Sequence, residues 1–401
     1  MISASRIAGG LGNAPSKQTA TVHRWNAQKV IACVAIIACC FQDQTVYDFG
    51  SFALKPFHLV ALGVLLFTML SRKSGWSIPC RMFFAAIMVV LAISMLDYVK
   101  FGFNSCFLNY LFMLMICCGF YNLCFDFQLK DWLDAIQVAA CVVMVAIAIK
   151  LVFNFDLLKS YLDNPWGGHP LIPTFFGGGV NLEASWMALF MPFFEWDRRG
   201  KIYIVSSFVL SFAYTSRAGL LLCLLGLIYV YVIKGNPKTI SIKFFLLAFL
   251  LLSVFLILLF QQNVLIERLL SVGSDRGSEG RLNMWQYALP TFLDSPIFGC
   301  GAGNATNHIR GLYSLTGITE DNVHMYVLQV ALDFGVSGLI IYFGLVSSFV
   351  FRCWNDRISS PFEAWLLFYL LASFIQFRGA DVLLGICLAG YFLNYGNKRK
   401  S

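Results

Sequence analysis

Long apolar runs dominate this sequence and limit most strongly what it can fold into. The chain of 401 residues is 59% hydrophobic and only 12% charged, whereas ordinary soluble domains contain about 25% charged residues. Several runs are shorter than the roughly 20 residues that a membrane-crossing helix requires, so tilted or broken helices are expected. The sequence therefore predicts an all-α, polytopic integral membrane bundle of about twelve transmembrane helices. The runs lie at about 27–42, 52–70, 82–98, 107–125, 134–153, 182–196, 202–215, 219–233, 244–260, 325–351, 362–377 and 382–396.

Lysine and arginine are distributed unevenly over the segments between the runs, which indicates the orientation of the chain. One alternate set of segments holds eighteen of these cations and the other set holds eight. Because cation-rich loops stay in the cytoplasm, both termini are predicted to be cytoplasmic. No small-residue cleavage site follows the first run, so no cleavable signal peptide is expected. The predicted segments are a flexible cytoplasmic tail (1–26), nine helices (27–260), a large loop on the opposite side containing short helices (261–324), three helices (325–396) and a cytoplasmic tail (397–401).

Arginine is concentrated on the side opposite to the cytoplasm. Six of the eight cations there are arginine, although cations on that side run against the usual topology rule. A guanidinium binds phosphate or carboxylate oxygens through two parallel hydrogen bonds and stays charged when partly desolvated. The set predicts an outward-facing site that binds an anion, most simply a phosphate or diphosphate head group. Alternatively, these arginines are ordinary loop cations, or they pair with Asp275, Glu279, Asp294 and Asp321.

Two of these arginines occupy positions that favour a functional role. Arg217 lies in a polar turn, SRAG, which interrupts an otherwise continuous apolar run; an arginine near the bilayer centre costs about 3 kcal/mol by insertion scales. Arg281 opens a block in which Trp285, Ala288 and Phe292 share its helical face. This block predicts a helix at the membrane interface with Arg281 in its first turn. The alternatives are an interface anchor for Arg217 and a surface cation for Arg281.

A glycine-rich turn and a histidine complete the large loop. The turn at 295–304 carries glycines at alternate positions, which permit positive φ and close backbone approach. It lacks the lysine of a P-loop, so nucleotide binding is not expected. His324, where the loop returns to the membrane, is placed to exchange a proton at that surface. A lone histidine at such a position is also a common structural residue.

The sequence gives no sign of a metal, a cofactor or a nucleic-acid partner. The adjacent pairs Cys39–Cys40 and Cys117–Cys118 lack CxxC spacing, and most cysteines lie in apolar runs, where they behave as small hydrophobes. The net charge of +8 comes from cations at the ends of apolar runs and not from a basic tract with interleaved aromatics. We therefore expect a site without metal or cofactor, and no nucleic-acid binding.

Taken in order, these motifs resemble those of the O-antigen ligase and polymerase superfamily of membrane glycosyltransferases. In that family an arginine-bearing turn, a Gly-Arg before an amphipathic helix with a tryptophan, a Pro-x-x-Gly-x-Gly turn and a His-Asn…Leu-Gln…Glu-x-Gly run follow one another. The resemblance covers about residues 170–351 and implies a GT-C-like fold. The matching residues are Gly280-Arg281, Trp285, Pro296, Gly299, Gly301, His324, Leu328-Gln329, Asp333 and Gly335.

The resemblance implies an inverting, metal-independent glycosyltransferase of the bacterial inner membrane, with 261–324 as its periplasmic catalytic loop. The implied donor is an undecaprenyl-diphosphate-linked oligosaccharide, bound by Arg217 and Arg281. His324 would take the proton from the acceptor hydroxyl. Membrane lipids and a chain-length regulator are further implied partners. Secondary contacts to the diphosphate or the sugar are implied for Arg276, Arg310 and Arg378.

The acceptor distinguishes the two activities of this superfamily. Met325 and Asp333 stand where ligases usually have asparagine and glutamate, and the stretch GGGVNLEASW at 177–186 is similar to the corresponding part of polysaccharide polymerases. The favoured function is a polymerase that transfers the glycan to the non-reducing end of a lipid-linked repeat unit. The main alternative is a ligase that transfers it to lipid A–core.

Three functions other than polymerase and ligase stay open. A transporter or flippase for lipid-linked sugars would also need cations, although transporters place their charges in mid-membrane cavities. A non-catalytic scaffold would leave the arginines unexplained. A helical-bundle peptidoglycan polymerase would use an acid of the large loop, for which Asp275, Glu279 and Asp294 are available.

Overall fold

The structure is a computed structural model that describes residues 26–50, 53–70, 78–101, 106–163, 172–233, 276–313, 323–355, 360–374, 376–377 and 380–398. Within these residues the chain is mostly helical. Strands β1 (Tyr47–Asp48) and β2 (Ala53–Leu54) pair antiparallel, and the chain also forms a short 3-10 segment (Met191–Phe193) and a short π-helical segment (Tyr229–Ile233). The described α-helices are α1 (Ala27–Cys40), α2 (Pro56–Leu70), α3 (Ile78–Phe101), α4 (Cys106–Leu123), α5 (Leu129–Phe153), α6 (Phe155–Asp163), α7 (Val180–Leu189), α8 (Arg198–Ala213), α9 (Arg217–Ile228), α10 (Arg276–Asp294), α11 (Ala305–Tyr313), α12 (Tyr326–Asn355), α13 (Pro361–Ala372) and α14 (Val382–Lys398).

The helices follow the predicted apolar runs. Eleven of the twelve runs are mainly helical in the described residues, and the run at 244–260 lies outside them. Three described helices are long and apolar enough to cross a membrane, over Cys106–Leu123, Leu129–Phe153 and Tyr326–Ser347, and six further helices contain apolar stretches of 10–17 residues. The predicted helical membrane bundle is confirmed at this level, whereas the number of about twelve crossing helices is not.

Local boundaries differ from the prediction in three places. The run at 52–70 begins with β2, and its helix starts only at Pro56, a residue suited to a first helical turn. Helix α6 occupies part of a segment that was predicted as a loop. Helix α10 begins at Arg276, five residues before the predicted start at Arg281. A glycine inside a helix costs only about 1 kcal/mol, which burial of one helical face can offset.

Helix α5 shows how the bundle meets its surroundings. Its exposed residues Val138, Val142, Val145, Ile149 and Val152 are spaced three or four apart and form one stripe. An apolar stripe of this length would be unfavourable in water. We interpret it as a lipid-facing surface, in agreement with the predicted membrane location.

Helix α4 lies in the interior and packs against α2, α3 and α14. Two glycines permit this close packing. A Cβ added at Gly385 of α14 would lie 2.4 Å from the carbonyl oxygen of Met113, and one added at Gly119 would lie 2.2 Å from Val64. Small residues at helix interfaces let backbones approach closely, which is the main source of helix association in a bilayer.

Helix α12 is interrupted at Gly335, and the interruption pairs with the glycine-rich turn. Gly335 has φ +64° and ψ −154°, which are not helical angles. Before the break, the carbonyl of Leu332 accepts a hydrogen bond from the amide of Cys300 (2.8 Å). After it, the amide of Val336 donates to the carbonyl of Pro296 (2.8 Å). The turn thus satisfies backbone groups that the broken helix leaves without helical partners.

Glycine is required on both sides of this pairing. Gly299 has φ +78°, and a Cβ there would lie 2.5 Å from the carbonyl oxygen of Leu332. A Cβ at Gly335 would lie 2.4 Å from the carbonyl oxygen of Ile297. The two backbones approach so closely that no larger residue fits without displacement.

Helices α10, α11 and α12 share a small separate core, which includes Met284, Ala288 and Val323. Trp285 and Phe292 pack against it while partly buried. The predicted common face of Trp285, Ala288 and Phe292 is therefore confirmed. This core holds the helix of the large loop against the start of α12.

Candidate active site

A cavity of about 310 Å³ lies at one end of the bundle, where several helices begin. Its wall comes from the end of α1, the starts of α2, α4, α7, α11 and α14, and the first part of α12. In the predicted orientation, in which successive apolar runs cross the membrane in alternating directions, all these segments lie on the side opposite to the cytoplasm. The lining residues are Gln42, Lys55, Phe57, Cys106, Asn109, Tyr110, Gly177, Leu182, Gly303, Thr306, Asn307, Gln329, Asp333, Ala380, Asp381 and Val382.

Asp333 joins three parts of the cavity wall. Its side chain is 1% exposed. The Tyr110 hydroxyl of α4 donates to Oδ2 (2.7 Å), while Gln329 Nε2 (3.0 Å) and the Gly303 amide (3.2 Å) donate to Oδ1. Asp333 therefore fixes α4, α12 and the glycine-rich turn relative to one another.

A second aspartate, Asp381, lies just before α14 and is also buried. The Tyr369 hydroxyl donates to its Oδ2 at 2.5 Å. The Tyr369 ring stacks on Trp365 (5.2 Å between centroids) and on Phe377 (4.6 Å). The aromatic stack restricts Tyr369, and Tyr369 in turn orients the carboxylate toward the cavity wall.

Arg217 occupies the first position of α9, as the polar turn in the sequence suggested. Ser216 caps this helix by accepting a hydrogen bond from the Gly219 amide (3.1 Å). Its hydroxyl also contacts the Asn181 carbonyl (3.3 Å), next to the cavity-lining residue Leu182. Arg217 is half-buried, and its Nη1 is shielded from solvent. One hydrogen-bonded step thus connects the Arg217 turn to the cavity wall.

A buried ion pair lies behind this turn. Glu183 of α7 is 0% exposed and pairs with Lys150 of α5. Oε1 of Glu183 also accepts from the Tyr214 hydroxyl (2.8 Å), and Oε2 accepts from the Phe175 amide (2.6 Å). Lys150 Nζ lies 4.8 Å from the centre of the Phe175 ring. The pair therefore holds both the end of α8, which leads to Arg217, and the segment before α7, which lines the cavity.

His324 lies directly before α12 in a left-handed conformation, with φ +53°. Such a conformation costs about 1–3 kcal/mol for a non-glycine residue and persists only where neighbours enforce it. The Val323 amide donates to Gln329 Oε1 (2.9 Å) on one side. On the other side the Tyr326 amide donates to the Ser373 carbonyl (2.8 Å). Because Gln329 also lines the cavity, His324 is connected to the cavity wall through its neighbour.

Helix α10 is hydrogen-bonded to the same segment. The indole Nε1 of Trp285 donates to the Val323 carbonyl at 2.7 Å. Arg281 lies four residues earlier on α10, which corresponds to about 6 Å along a helix. The structure therefore joins the helix that carries Arg281 to the residue that precedes His324, and a shared site for the two side chains stays a prediction.

The other predicted arginines cannot be positioned in the same way. Helices α10 and α11 carry Arg276, Arg281 and Arg310, but these three side chains lie outside the described part of the chain. Arg378 lies outside the described residues altogether. Their substrate contacts stay predictions. In the described residues, no group of three or more His, Cys, Asp or Glu side chains is arranged to hold a metal ion.

Several polar residues of the site were missed by sequence analysis. Lys55 and Lys150 were passed over because they lie inside apolar runs, and Tyr110 and Asp381 because no motif marked them. Glu183 was noted only as part of a polymerase-like stretch. A signal was available, because ionisable residues within membrane segments usually face the bundle interior and serve a function.

Comparison with known proteins bears on the part of the chain that carries the motifs. A family model described as O-antigen ligase matches residues 202–343. This range includes Arg217, Arg281, the glycine-rich turn and His324. A search of curated proteins found no match.

Proposed function

We propose that this chain, whose match at residues 202–343 supports membership of the O-antigen ligase and polymerase family, is a polysaccharide polymerase of the bacterial inner membrane. It transfers a glycan from undecaprenyl diphosphate to the non-reducing end of a lipid-linked repeat unit. One observation carries the proposal. The hydrogen bond from Trp285 to the Val323 carbonyl joins the helix of Arg281 to the residue before His324.

The reaction assigns a separate role to each of these residues. Arg217 and Arg281 bind the diphosphate and stabilise the charge that develops on the leaving group. His324 takes the proton of the acceptor hydroxyl. The bond between the acceptor oxygen and the anomeric carbon forms as the bond from that carbon to the diphosphate oxygen breaks, and undecaprenyl diphosphate leaves. Attack opposite to the leaving group inverts the anomeric centre, and the scheme uses no metal ion.

The proposal includes an orientation. The cavity faces the periplasm and both termini lie in the cytoplasm, which is supported by the eighteen-to-eight distribution of cations. Arg276, Arg310 and Arg378 supply further contacts to the diphosphate or the sugar. A chain-length regulator is a proposed protein partner.

A ligase that transfers the glycan to lipid A–core is the second candidate, because the matching family model is described as O-antigen ligase. We favour the polymerase because the polymerase-like stretch 177–186 contributes Gly177 and Leu182 to the cavity wall. A stretch that lines the cavity is well placed to contact the acceptor, which is the molecule that differs between the two activities.

The test uses purified protein in detergent, undecaprenyl-diphosphate-linked repeat units and EDTA. We expect wild type to form a ladder of longer glycans. Arg281→Ala and His324→Ala should each lower the rate by at least about a hundredfold, since electrostatic and general-base contributions of this kind are worth about 10²–10⁴. Arg198→Ala is the matched control, because Arg198 is an exposed cation at the start of α8 and is predicted to be cytoplasmic.

The possible outcomes separate the candidates. Transfer that occurs only after addition of lipid A–core would make the protein a ligase. No transfer to either acceptor would overturn the proposed glycosyltransferase. A ladder that disappears with EDTA and returns with a divalent metal would contradict metal independence.

A further inference from the structure

The cavity has two walls of different origin. Five lining residues belong to the matched range 202–343, namely Gly303, Thr306, Asn307, Gln329 and Asp333. The other eleven come from outside it, from the ends of α1, α2, α4, α7 and α14. We name these eleven residues the outer wall. The family domain thus forms only the smaller part of this cavity.

We propose that the outer wall binds and selects one hydroxyl-rich sugar ring of the acceptor, an inference that rests on the proposed glycosyl transfer. The acceptor is assigned because Gln329 both lines the cavity and hydrogen-bonds the residue before His324. The sugar that gives its proton to His324 is the acceptor. The donor diphosphate belongs with Arg217 and Arg281.

The polar groups of the cavity match a sugar better than a phosphate or an acyl chain. The carboxyl oxygens of Asp333 and Asp381 accept hydrogen bonds, the ammonium group of Lys55 donates them, and the amide of Asn109 does both. A sugar hydroxyl both donates and accepts and can pair with every one of these groups. Phosphate oxygens would face the carboxyl oxygens of Asp333 and Asp381, and an acyl chain would bury the side chains of Lys55 and Asn109 without a partner, which is costly. A volume of about 310 Å³ lies at the lower end of ligand pockets.

Parts of this arrangement are already oriented before a ligand binds. The Tyr110 hydroxyl donates its hydrogen bond to Asp333, so its oxygen presents acceptor positions to a ligand. Tyr369 orients Asp381 in the same way. Polar groups held in advance bind a ligand with less loss of conformational entropy.

Two residues of the outer wall are suited to discriminate between sugars. In the described part of the chain, the side chains of Lys55 and Asn109 make no hydrogen bond or ion pair with the protein. Lys55 is half-buried at the start of α2, and Asn109 is exposed in the first turn of α4. Their hydrogen-bonding groups are available to a ligand, and substitution of either should leave the internal network around Asp333 intact.

Cys106 supplies a reporter for binding, because this exposed cysteine also lines the cavity. The experiment measures the rate at which N-ethylmaleimide alkylates Cys106 in the purified full-length protein. The probe is the methyl glycoside of the repeat-unit oligosaccharide, prepared from the producing strain's own surface glycan. A methyl glycoside can accept a glycan but cannot donate one. The Cys106→Ser variant identifies the signal that belongs to this thiol.

We expect the methyl glycoside to protect Cys106 and inorganic pyrophosphate to leave it reactive. Lys55→Met and Asn109→Leu should each raise the concentration for half-protection at least tenfold, with the alkylation rate unchanged when no sugar is present. Lys159→Met, which changes an exposed lysine of α6, is the matched control and should protect like wild type. Arg217→Ala should also retain protection, because the arginine is assigned to the diphosphate.

Other results would overturn the inference. Protection by pyrophosphate and not by the glycoside would make the cavity an anion site. The sugar would not bind at the outer wall if the glycoside failed to protect Cys106. The same would follow if Lys55→Met and Asn109→Leu were protected at the same glycoside concentration as wild type. If the protein forms glycan ladders but the glycoside does not protect Cys106, only this inference is contradicted. If the glycoside protects Cys106 but no glycan is transferred to any acceptor, only the proposed function is contradicted.

Discussion

The two segments that carry the proposed catalytic residues are held in place by different kinds of interaction. Behind Arg217 lies a buried charge pair, Lys150 and Glu183, whose partners are mostly side chains. On the helix that follows His324, the glycine-rich turn and the break in α12 bond to each other mainly through their backbones. The first arrangement depends on the opposite charges of Lys150 and Glu183. The second depends on glycines, whose lack of a side chain lets the two backbones approach closely. Substitutions that damage one should therefore leave the other intact.

The largest effect is expected from breaking the charge pair on one side only. Glu183→Gln keeps one acceptor oxygen, which can serve the Phe175 amide, but its NH2 group replaces the oxygen that accepts from Tyr214 and pairs with Lys150. The Lys150 charge is then buried without its partner. Loss of one member of a buried pair costs about 3–5 kcal/mol. Denaturant unfolding in detergent should show a decrease of this size in the free energy of unfolding.

The double variant Lys150→Met/Glu183→Gln tests whether charge is the cause. It removes both charges and retains the amide acceptor, so it should recover most of the stability that Glu183→Gln loses. Lys159→Met is the control on an exposed lysine, and its effect should stay within about 0.5 kcal/mol. If the double variant were as unstable as the single one, the buried charge would not explain the loss.

An intermediate effect is expected at the backbone pairing. Gly335→Ala places a Cβ 2.4 Å from Ile297 atoms and forces alanine into a left-handed conformation. Strain and overpacking together should destabilise the protein by about 2–3 kcal/mol, measured by thermal unfolding in detergent.

Gly344→Ala is the matched control for this substitution. Gly344 lies on the same helix, and an added Cβ meets nothing within 4 Å. Its replacement should be neutral or stabilise the protein by up to about 1 kcal/mol. Equal stability of Gly335→Ala and Gly344→Ala would show that the glycine-rich turn moves aside at little cost. The backbone pairing between the turn and α12 would then not hold α12 in place.

The smallest effect on stability is expected where α10 meets the His324 segment. Trp285→Phe removes one hydrogen bond to the Val323 carbonyl and should cost about 1 kcal/mol of stability. The rate of glycan transfer should fall further, by about tenfold, because displaced catalytic groups lose reactivity steeply. Trp196→Phe, at the predicted cytoplasmic end, is the control. A stability loss without any fall in rate would mean that α10 does not position the site.

The sequence was sufficient for features that depend on local pattern. The apolar runs predicted the helices because burial in lipid demands long apolar segments. Arg217 and His324 were singled out because each interrupts such a run or borders it, and their functional roles stay predictions. The close pairing of the turn with α12 was only partly foreseen, because alternate glycines indicate close approach without naming the partner.

Features that depend on distant partners could not be predicted from the sequence. Glu183 and Lys150 are 33 residues apart, and Tyr110 and Asp333 are 223 residues apart. Nothing in the local pattern around Lys150 or Tyr110 indicates which residue it will meet. The cavity was missed for the same reason, because its wall is assembled from helix ends that are far apart in the chain.

The interrupted helix also has a consequence for how substrates reach the cavity. The glycine-rich turn and the first half of α12 are joined by hydrogen bonds on both sides of Gly335, so they should shift as one rigid body. Relative motion between them would break several backbone bonds at once. The hydrogen bond from Tyr110 to Asp333 ties the start of α4 to the same unit. Widening of the cavity to admit a glycan is therefore expected at the start of α2, where Lys55 borders it. Lys55, which is proposed to contact the sugar, would then also border its route of access.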